Sequence, residues 1–192
     1  MKTYHFNAAE RDLSDFTYAY SPVPKEHKPF LMRADSLANY PVNDPESFDY
    51  VSIITKEKFA SGTKFSTTCS FGKFGAPLIV FSGDVSENTD GTALYGLHFE
   101  VVAYEGGCNI WHIEPWPERV ERPIRTQKIA FKEFEIRPDE RITITVEVKG
   151  KTILANVNGH IITCENEDVP ETFHVGVTAC EGPNHFYDFT VE

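Results

Sequence analysis

Two histidines and two glutamates occur close together in a segment of alternating polar and apolar residues. His98 and Glu100 are two residues apart, and His112 and Glu114 repeat this spacing after a short glycine-containing loop. Imidazole and carboxylate groups together suit zinc or a similar ion, and paired carboxylates can act as acid and base in glycoside hydrolysis. Cross-strand contacts on a solvated sheet face, each worth under about 1 kcal/mol, explain the same residues without any function.

The first strand of the predicted hairpin has one apolar and one polar face. Tyr95 and Ala103 mark the ends of a row in which every second residue is apolar. Such alternation is typical of a strand with one face in the core. His98 and Glu100 then lie on the opposite face, together with Tyr104, and these side chains are candidates for contact with a ligand.

The second strand offers a choice between two faces. Burying the row that contains Trp111 costs less than burying the row that contains His112 and Glu114, because the latter would desolvate ionisable groups. With a three-residue loop at 105–107, this choice sets the hairpin register. It places Glu100 opposite His112 and the other histidine opposite the other glutamate. We therefore expect two imidazoles and two carboxylates on one sheet face, with neighbouring Cβ atoms about 5 Å apart.

Two loops add candidate ligand-binding residues. Trp116 stands between two prolines after the second strand, where its ring could stack on a flat ligand face. Asp84, Asn88 and Asp90 lie in an acidic loop and could supply oxygen ligands to calcium. Asn and Asp also favour turns through hydrogen bonds from their side chains to the backbone, so both interpretations stay open.

Similar alternation continues along the chain, with turn residues at intervals of roughly ten, which indicates a β-sandwich or barrel. The clearest strand is 142–148, whose even-numbered residues are all β-branched and apolar. Tight turns are predicted at Gly150-Lys151 and Asn158-Gly159. The apolar run 77–81 predicts a central strand buried on both faces.

The composition restricts the partners that this protein can have. The 192 residues include 29 acidic and 18 basic side chains, for a formal net charge of −11. Nucleic acids and anionic membrane surfaces both attract basic stretches, so we expect neither as a partner. No stretch approaches the roughly 20 apolar residues that a membrane helix needs.

The spacing of the cysteines indicates the cellular compartment in which we expect the protein. Their wide spacing without a CxxC pair, and the lack of an apolar export signal, favour free buried thiols in a reducing, cytoplasmic environment. Dinucleotide and phosphate-binding fingerprints are missing, so we expect no cofactor other than the possible calcium ion. The four cysteines are Cys69, Cys108, Cys164 and Cys180.

The order of several short runs resembles the landmarks of a known superfamily, the concanavalin A-like lectins and glucanases. The runs are Phe59-Ala60-Ser61-Gly62-Thr63-Lys64-Phe65, His98-Phe99-Glu100, Val157-Asn158-Gly159, Val175-Gly176-Val177 and Tyr187-Asp188-Phe189, within 48–192. The resemblance implies an all-β jelly roll of two curved antiparallel sheets, whose concave face binds or hydrolyses glycans. We expect a single domain over 1–192, with an N-terminal strand and covering loops in 1–47.

The laminarinase-type hydrolases of this superfamily carry the pattern E-x-D-x-x-E, which supplies a nucleophile, an assisting aspartate and an acid/base. Glu100 and Glu105 fit the two glutamates, but Val102 stands in the place of the aspartate. Because that aspartate orients and tunes its neighbour, its absence argues against retaining hydrolysis.

Three functions remain open at this point. The first is carbohydrate binding on the concave sheet, with Glu100 among the contacts. The second is glycoside hydrolysis by Glu100 with Glu114 or Glu105, which needs a cleft and a carboxylate pair. The third is a structural or protein-binding sandwich, which predicts a shallow face without a pocket.

Overall fold

The computed structural model describes residues 1–21, 28–40 and 50–192. Within these ranges the chain forms strands, turns and loops, and no helix in them could cross a membrane. Of the predicted N-terminal segment 1–47, residues 22–27 and 41–47 lie outside the described residues. The strands are β1 Lys2–His5, β2 Phe16–Tyr20, β3 Leu31–Met32, β4 Leu37–Ala38, β5 Tyr50–Thr55, β6 Phe59–Ala60, β7 Lys64–Phe71, β8 Gly75–Ser82, β9 Val85–Glu87, β10 Ala93–Tyr95, β11 His98–Tyr104, β12 Gly107–Pro115, β13 Ile124–Glu133, β14 Ile142–Lys149, β15 Thr152–Val157, β16 His160–Glu165, β17 Thr172–Glu181, β18 Asn184–Phe186 and β19 Asp188–Val191.

The described strands form two sheets. One sheet of nine strands has the order β16-β15-β14-β7-β18-β4-β3, with β19 pairing with β7 and β1. The other, of ten strands, has the order β13-β12-β11-β8-β17-β5-β2-β10-β9, with β6 beside β17. Neighbouring strands in both sheets are antiparallel, apart from the pair β2 and β10. The fold is therefore an all-β sandwich of two antiparallel sheets, as predicted.

The main core combines inward-facing rows from both sheets. Ile142, Ile144, Val146 and Val148 of β14 are buried in it, as their alternation predicted. A second apolar cluster lies on the opposite, outer face of the ten-stranded sheet, and it includes Tyr50, Tyr95 and Val102. The central strand β8 separates the two clusters and contributes to both, which confirms that it is buried on both faces. The β8 side chains are Ile79 and Phe81 in the main core and Leu78 and Val80 in the outer cluster.

The predicted tight turns are confirmed by backbone angles that favour glycine or asparagine. Gly150 has a φ of 57°, between β14 and β15. Asn158 and Gly159 have φ values of 49° and 88°, between β15 and β16. Two consecutive residues with positive φ match a type I′ turn, whose twist suits antiparallel strands.

The segment predicted as one long strand is divided at Gly96. The amide of Gly96 donates to the carbonyl of Asp84 at 2.8 Å, and the amide of Leu97 donates to the Asp84 carboxylate at 3.3 Å. A Cβ atom at residue 96 would overlap that carboxylate, so the close approach requires glycine. The interruption reverses the alternation, and Tyr95 stacks on His98 with the ring centroids 4.7 Å apart. Tyr95 is buried, as expected, but in the outer cluster instead of the main core that contains Phe99 and Val101.

The predicted register of the β11–β12 hairpin was also wrong. Tyr104 pairs with Gly107, so the turn has two residues instead of three. Glu100 consequently lies opposite Trp111, while His112 pairs with Phe99 on the core side. The inward row of β12 also contains Cys108 and Ile110, which are fully buried, and the burial of these apolar side chains outweighs the cost of burying an imidazole.

The cysteines are free thiols, as predicted. Cys69, Cys108 and Cys180 are buried, whereas Cys164 is half-buried. Burial disfavours the thiolate and raises the pKa of Cys108 to about 12 and that of Cys164 to about 11. These thiols are therefore poor nucleophiles in the folded protein.

Candidate functional site

A cavity of about 340 Å³ opens on the outer face of the ten-stranded sheet. Glu100 and Tyr104 reach it from β11, and Asn109 and Trp111 reach it from β12. Tyr50 of β5 lines it from across the sheet. The cavity thus combines aromatic rings with a carboxylate and an amide, which is the usual composition of a small-molecule site.

Glu100 is the most deeply buried carboxylate of this cavity. Its side chain is 9% exposed, and the hydroxyl of Tyr50 donates to Oε1 at 2.8 Å. Burial, followed by the charge of Glu100, raises the pKa of Tyr50 well above its usual value. Tyr50 therefore stays protonated and keeps a donor directed at the carboxylate.

His98 lies on the other side of the same carboxylate and is 1% exposed. Its Nδ1 lies 2.9 Å from the carbonyl oxygen of Gly96. Because a carbonyl only accepts, Nδ1 carries the hydrogen, and Nε2 faces Glu100 at 3.6 Å from Oε1. The predicted neighbours His98 and Glu100 are thus brought together, although beside Tyr50 rather than beside His112 and Glu114.

Further hydrogen bonds make the floor of this region rigid. The hydroxyl of Tyr95 lies 2.7 Å from Oγ of Ser52, which also accepts from the Thr178 hydroxyl at 2.7 Å. Burial raises the pKa of Tyr95 above its usual value. These partners hold the ring on which His98 stacks, so they fix the position of the imidazole indirectly.

Two side-chain oxygens that line the cavity have no hydrogen-bond partner among the described residues. Trp111 is half-buried against the outer cluster, with the Lys128 ammonium 5.9 Å from its ring centroid. Oδ1 of Asn109 and Oγ of Ser21 are buried and make no hydrogen bond with the described residues. Unpaired buried oxygens are costly, and a ligand with hydroxyl groups could satisfy both.

Two residues of the predicted patch lie away from the cavity. His112 is buried on the core side, where its ring packs at 5.2 Å from that of Phe99. Its Nε2 is 3.2 Å from the Asp168 carboxylate but makes no hydrogen bond of normal geometry. Glu114 points to the same side of β12 and forms a 3.4 Å ion pair with Arg125. The expected cluster of two imidazoles and two carboxylates is therefore not formed.

Two other candidates also lie outside the cavity lining. Glu105 is in the exposed turn between β11 and β12, so it does not face Glu100 as the hydrolase pattern requires. Trp116 is 43% exposed in the loop after β12. Its ring is available to solvent, whereas Trp111, which was expected in the core, lies in the cavity wall.

The acidic loop does not gather its oxygen atoms at one point. The carboxylate of Asp84 accepts from the amide of Leu97, while Asn88 and Asp90 both bond to Thr92. Across the described ranges, no group of three or more His, Cys, Asp or Glu side chains could hold a metal ion. Hydrogen bonds within the loop account for the three residues that suggested calcium.

Several cavity residues were missed because the chain brings them in from distant segments. Tyr50 starts a strand that is buried on both faces, so its sequence shows no alternation that would mark an outward side chain. Ser21 follows β2, and Glu181 ends β17 with a φ of 63°, which is rare outside glycine. No local sequence motif identifies these residues as part of a site.

No protein-family model matches the chain, and no curated protein is significantly similar to it in sequence. Solved structures share its fold. A protein of unknown function with a galectin-like fold from Bacillus subtilis aligns over 100% of this chain and 94% of its own length, with a TM-score of 0.61 and 15% identity. An immunostimulatory antigen and pseudo beta-1,3-glucanase of Mycobacterium tuberculosis aligns over 100% and 97%, with a TM-score of 0.61 and 8% identity. A carbohydrate-binding module from Bacillus subtilis aligns over 74% and 81%, with a TM-score of 0.57 and 12% identity.

These similarities and the two-sheet topology define the class of the fold. It is a jelly-roll sandwich of two antiparallel sheets. This is the fold that the resemblance to the concanavalin A-like superfamily implied.

Proposed function

We propose that this protein binds a carbohydrate in the cavity on the outer face of the ten-stranded sheet. The observation that carries the proposal is the pairing of Trp111 with buried hydrogen-bonding groups around one 340 Å³ space. Sugars need this mixture, because their C–H faces stack on aromatic rings while their hydroxyl groups need fixed donors and acceptors. The cavity also argues against the third hypothesis, which predicted a shallow face.

The polar groups are suited to hydroxyl recognition. Glu100 retains acceptor capacity beyond its bond from Tyr50, since an ionised carboxylate can accept about four hydrogen bonds. Asn109 and Ser21 contribute the buried oxygens that lack partners among the described residues. Two proteins of the same fold are described as a carbohydrate-binding module and a pseudo beta-1,3-glucanase, which agrees with a glycan ligand.

The test compares two tryptophans of the same chain. Binding to a panel of neutral and acidic oligosaccharides is measured by isothermal titration calorimetry for the wild type, Trp111→Ala and Trp116→Ala. We expect Trp111→Ala to weaken binding by about tenfold or more, since a stacking aromatic contributes about 1–3 kcal/mol. Trp116→Ala should bind like the wild type, because its ring lies outside the cavity.

Glu100→Gln is the second variant, since it keeps the shape of the side chain and removes its charge. Reduced binding in Glu100→Gln and Trp111→Ala, with unchanged folding by circular dichroism, supports the site. A loss in Trp116→Ala without a loss in Trp111→Ala would move the site to the exposed loop. No binding by the wild type to any glycan would contradict the proposal.

Glycoside hydrolysis is a second candidate, and Glu181 is the observation that favours it. Glu181 is a lining residue of the same cavity as Glu100, and its backbone holds an uncommon positive φ. A pair of Glu100 and Glu181 would replace the expected pairs with Glu114 or Glu105. Release of reducing ends that is abolished in both Glu100→Gln and Glu181→Gln would support catalysis, and activity that survives both changes would exclude this pair.

A further inference from the structure

We infer that the preferred carbohydrate is acidic, a uronate-containing oligosaccharide whose carboxylate binds Arg122. This inference rests on the proposed function and adds the chemical class of the ligand. It is based on the distribution of charge around the cavity.

Arg122 lines the cavity and makes no ion pair with a carboxylate of the described residues. Arg125, three positions later, does form such a pair, with Glu114 at 3.4 Å. The chain has 29 acidic against 18 basic side chains, so acidic partners are abundant. A cation that stays unpaired beside a cavity in such a protein is available for a ligand.

Lys128 provides a second positive charge on the same side. Its ammonium lies 5.9 Å from the ring centroid of Trp111 and 5.1 Å from that of Phe131. The ion pairs of the described chain do not include Lys128. The aromatic rings stabilise this cation, which has no ion pair with a carboxylate of the described residues.

The strand order separates the cations from the buried carboxylate. Arg122 lies two residues before β13 and Lys128 belongs to it, whereas Glu100 belongs to β11, and only β12 lies between. Neighbouring strands are about 4.8 Å apart, so β13 lies about 10 Å from β11. Trp111 pairs with both Glu100 and Lys128 and lies between them, whereas Arg122 lies near the start of β13. A sugar stacked on Trp111 could direct a carboxylate towards β13 and its hydroxyl groups towards Glu100.

Guanidinium and carboxylate groups have matching geometry. Arginine binds a carboxylate through two parallel N–H···O bonds, which are stronger than bonds between neutral groups. A neutral sugar offers no such partner, and Arg122 would then add little to its affinity. The structure therefore predicts selection for the charged form of a sugar ring rather than for its neutral derivative.

The experiment uses pairs of ligands that differ only in charge. Oligosaccharides of galacturonate, guluronate, mannuronate and glucuronate are each compared with their methyl esters by calorimetry. We expect the wild type to bind at least one free acid about tenfold or more tightly than its ester. Sodium chloride should weaken the acid complex and leave the ester complex almost unchanged.

Arg122→Gln should remove this preference, and Arg125→Gln should keep it as a matched control. Equal or tighter binding of the ester in every pair would overturn the inference, as would a preference that survives Arg122→Gln. If neutral oligosaccharides bind and no free acid is favoured, the ligand is neutral while the proposed function stands. If no saccharide binds, both the inference and the proposed function fail.

Discussion

Glu100 is kept in a largely buried position by the groups that surround it. The Tyr50 hydroxyl donates to it at 2.8 Å, and the imidazole of His98 lies 3.6 Å away. A buried carboxylate is costly unless it is hydrogen-bonded, and the Tyr50 hydroxyl supplies such a bond. The hydrogen bond therefore stabilises the fold and also fixes the Glu100 carboxylate as an acceptor at the cavity.

Replacing Tyr50 by phenylalanine tests this interpretation. Tyr50→Phe retains the ring and removes the donor to Glu100, so we expect the free energy of unfolding to fall by about 1–2 kcal/mol. Urea denaturation at pH 7 measures the change. Tyr40→Phe is the control, because Tyr40 is 42% exposed and its hydroxyl can bond to water. Equal losses in the two variants would contradict a stabilising role of the Tyr50 hydroxyl.

The hairpin of β11 and β12 decides which side chains reach the cavity. In strands, a shift by one residue moves every side chain to the other face. The two-residue turn directs Trp111 outwards beside Glu100 and sends His112 inwards. Gly107 closes this turn with a φ of 134°, and a Cβ atom there would overlap the carbonyl oxygen of Lys132 in β13.

A pair of adjacent glycines tests the hairpin geometry. Gly107→Ala should destabilise the protein by more than about 2 kcal/mol, because both its φ and the neighbouring backbone oppose a side chain. Gly106→Ala should cost less than about 1 kcal/mol, because its Cβ meets only the ring edge of Tyr104, at 2.8 Å. Thermal and urea unfolding measure both. A Gly107→Ala variant as stable as Gly106→Ala would show that the turn tolerates another conformation.

The sandwich as a whole buries thiol and phenol groups in their neutral forms. Burial raises the pKa of Cys108 from 9.0 to about 12, and it also raises the pKa values of Cys69, Tyr50 and Tyr95. Above pH 9 the unfolded chain releases these protons while the folded protein keeps them. The stability associated with these groups is therefore fully present below pH 9 and is lost as the pH rises.

Alkaline unfolding measures this effect. We expect the free energy of unfolding to decrease between pH 9 and pH 11, with each buried group contributing up to about 1.4 kcal/mol per pH unit. In Cys108→Ala, the free energy of unfolding should fall less steeply with pH, because one buried thiol no longer contributes. This difference in slope does not depend on how much stability the substitution removes at pH 7. Urea titrations at several pH values provide the slopes. A slope that is identical in the wild type and the variant would exclude Cys108 as a contributor.

The regular strands were predictable because apolar and polar side chains alternate at every second residue, a pattern that is typical of β-strands. The β-branched row of β14, the tight turns at Gly150 and Asn158, and the doubly buried β8 all follow from local patterns. His98 and Glu100 were placed on one face by the same reasoning, since they lie two residues apart in a single strand.

The sequence by itself determined the class of fold and the strand that carries the central carboxylate. Only the tertiary structure decided which partners meet that carboxylate, because this depends on contacts between distant segments. The close approach of Asp84 to Gly96 interrupts the predicted strand, and the packing of Ile110 in the core turns Trp111 outwards. A period-2 pattern gives the two faces of a strand, but the surrounding sheets determine which face is buried.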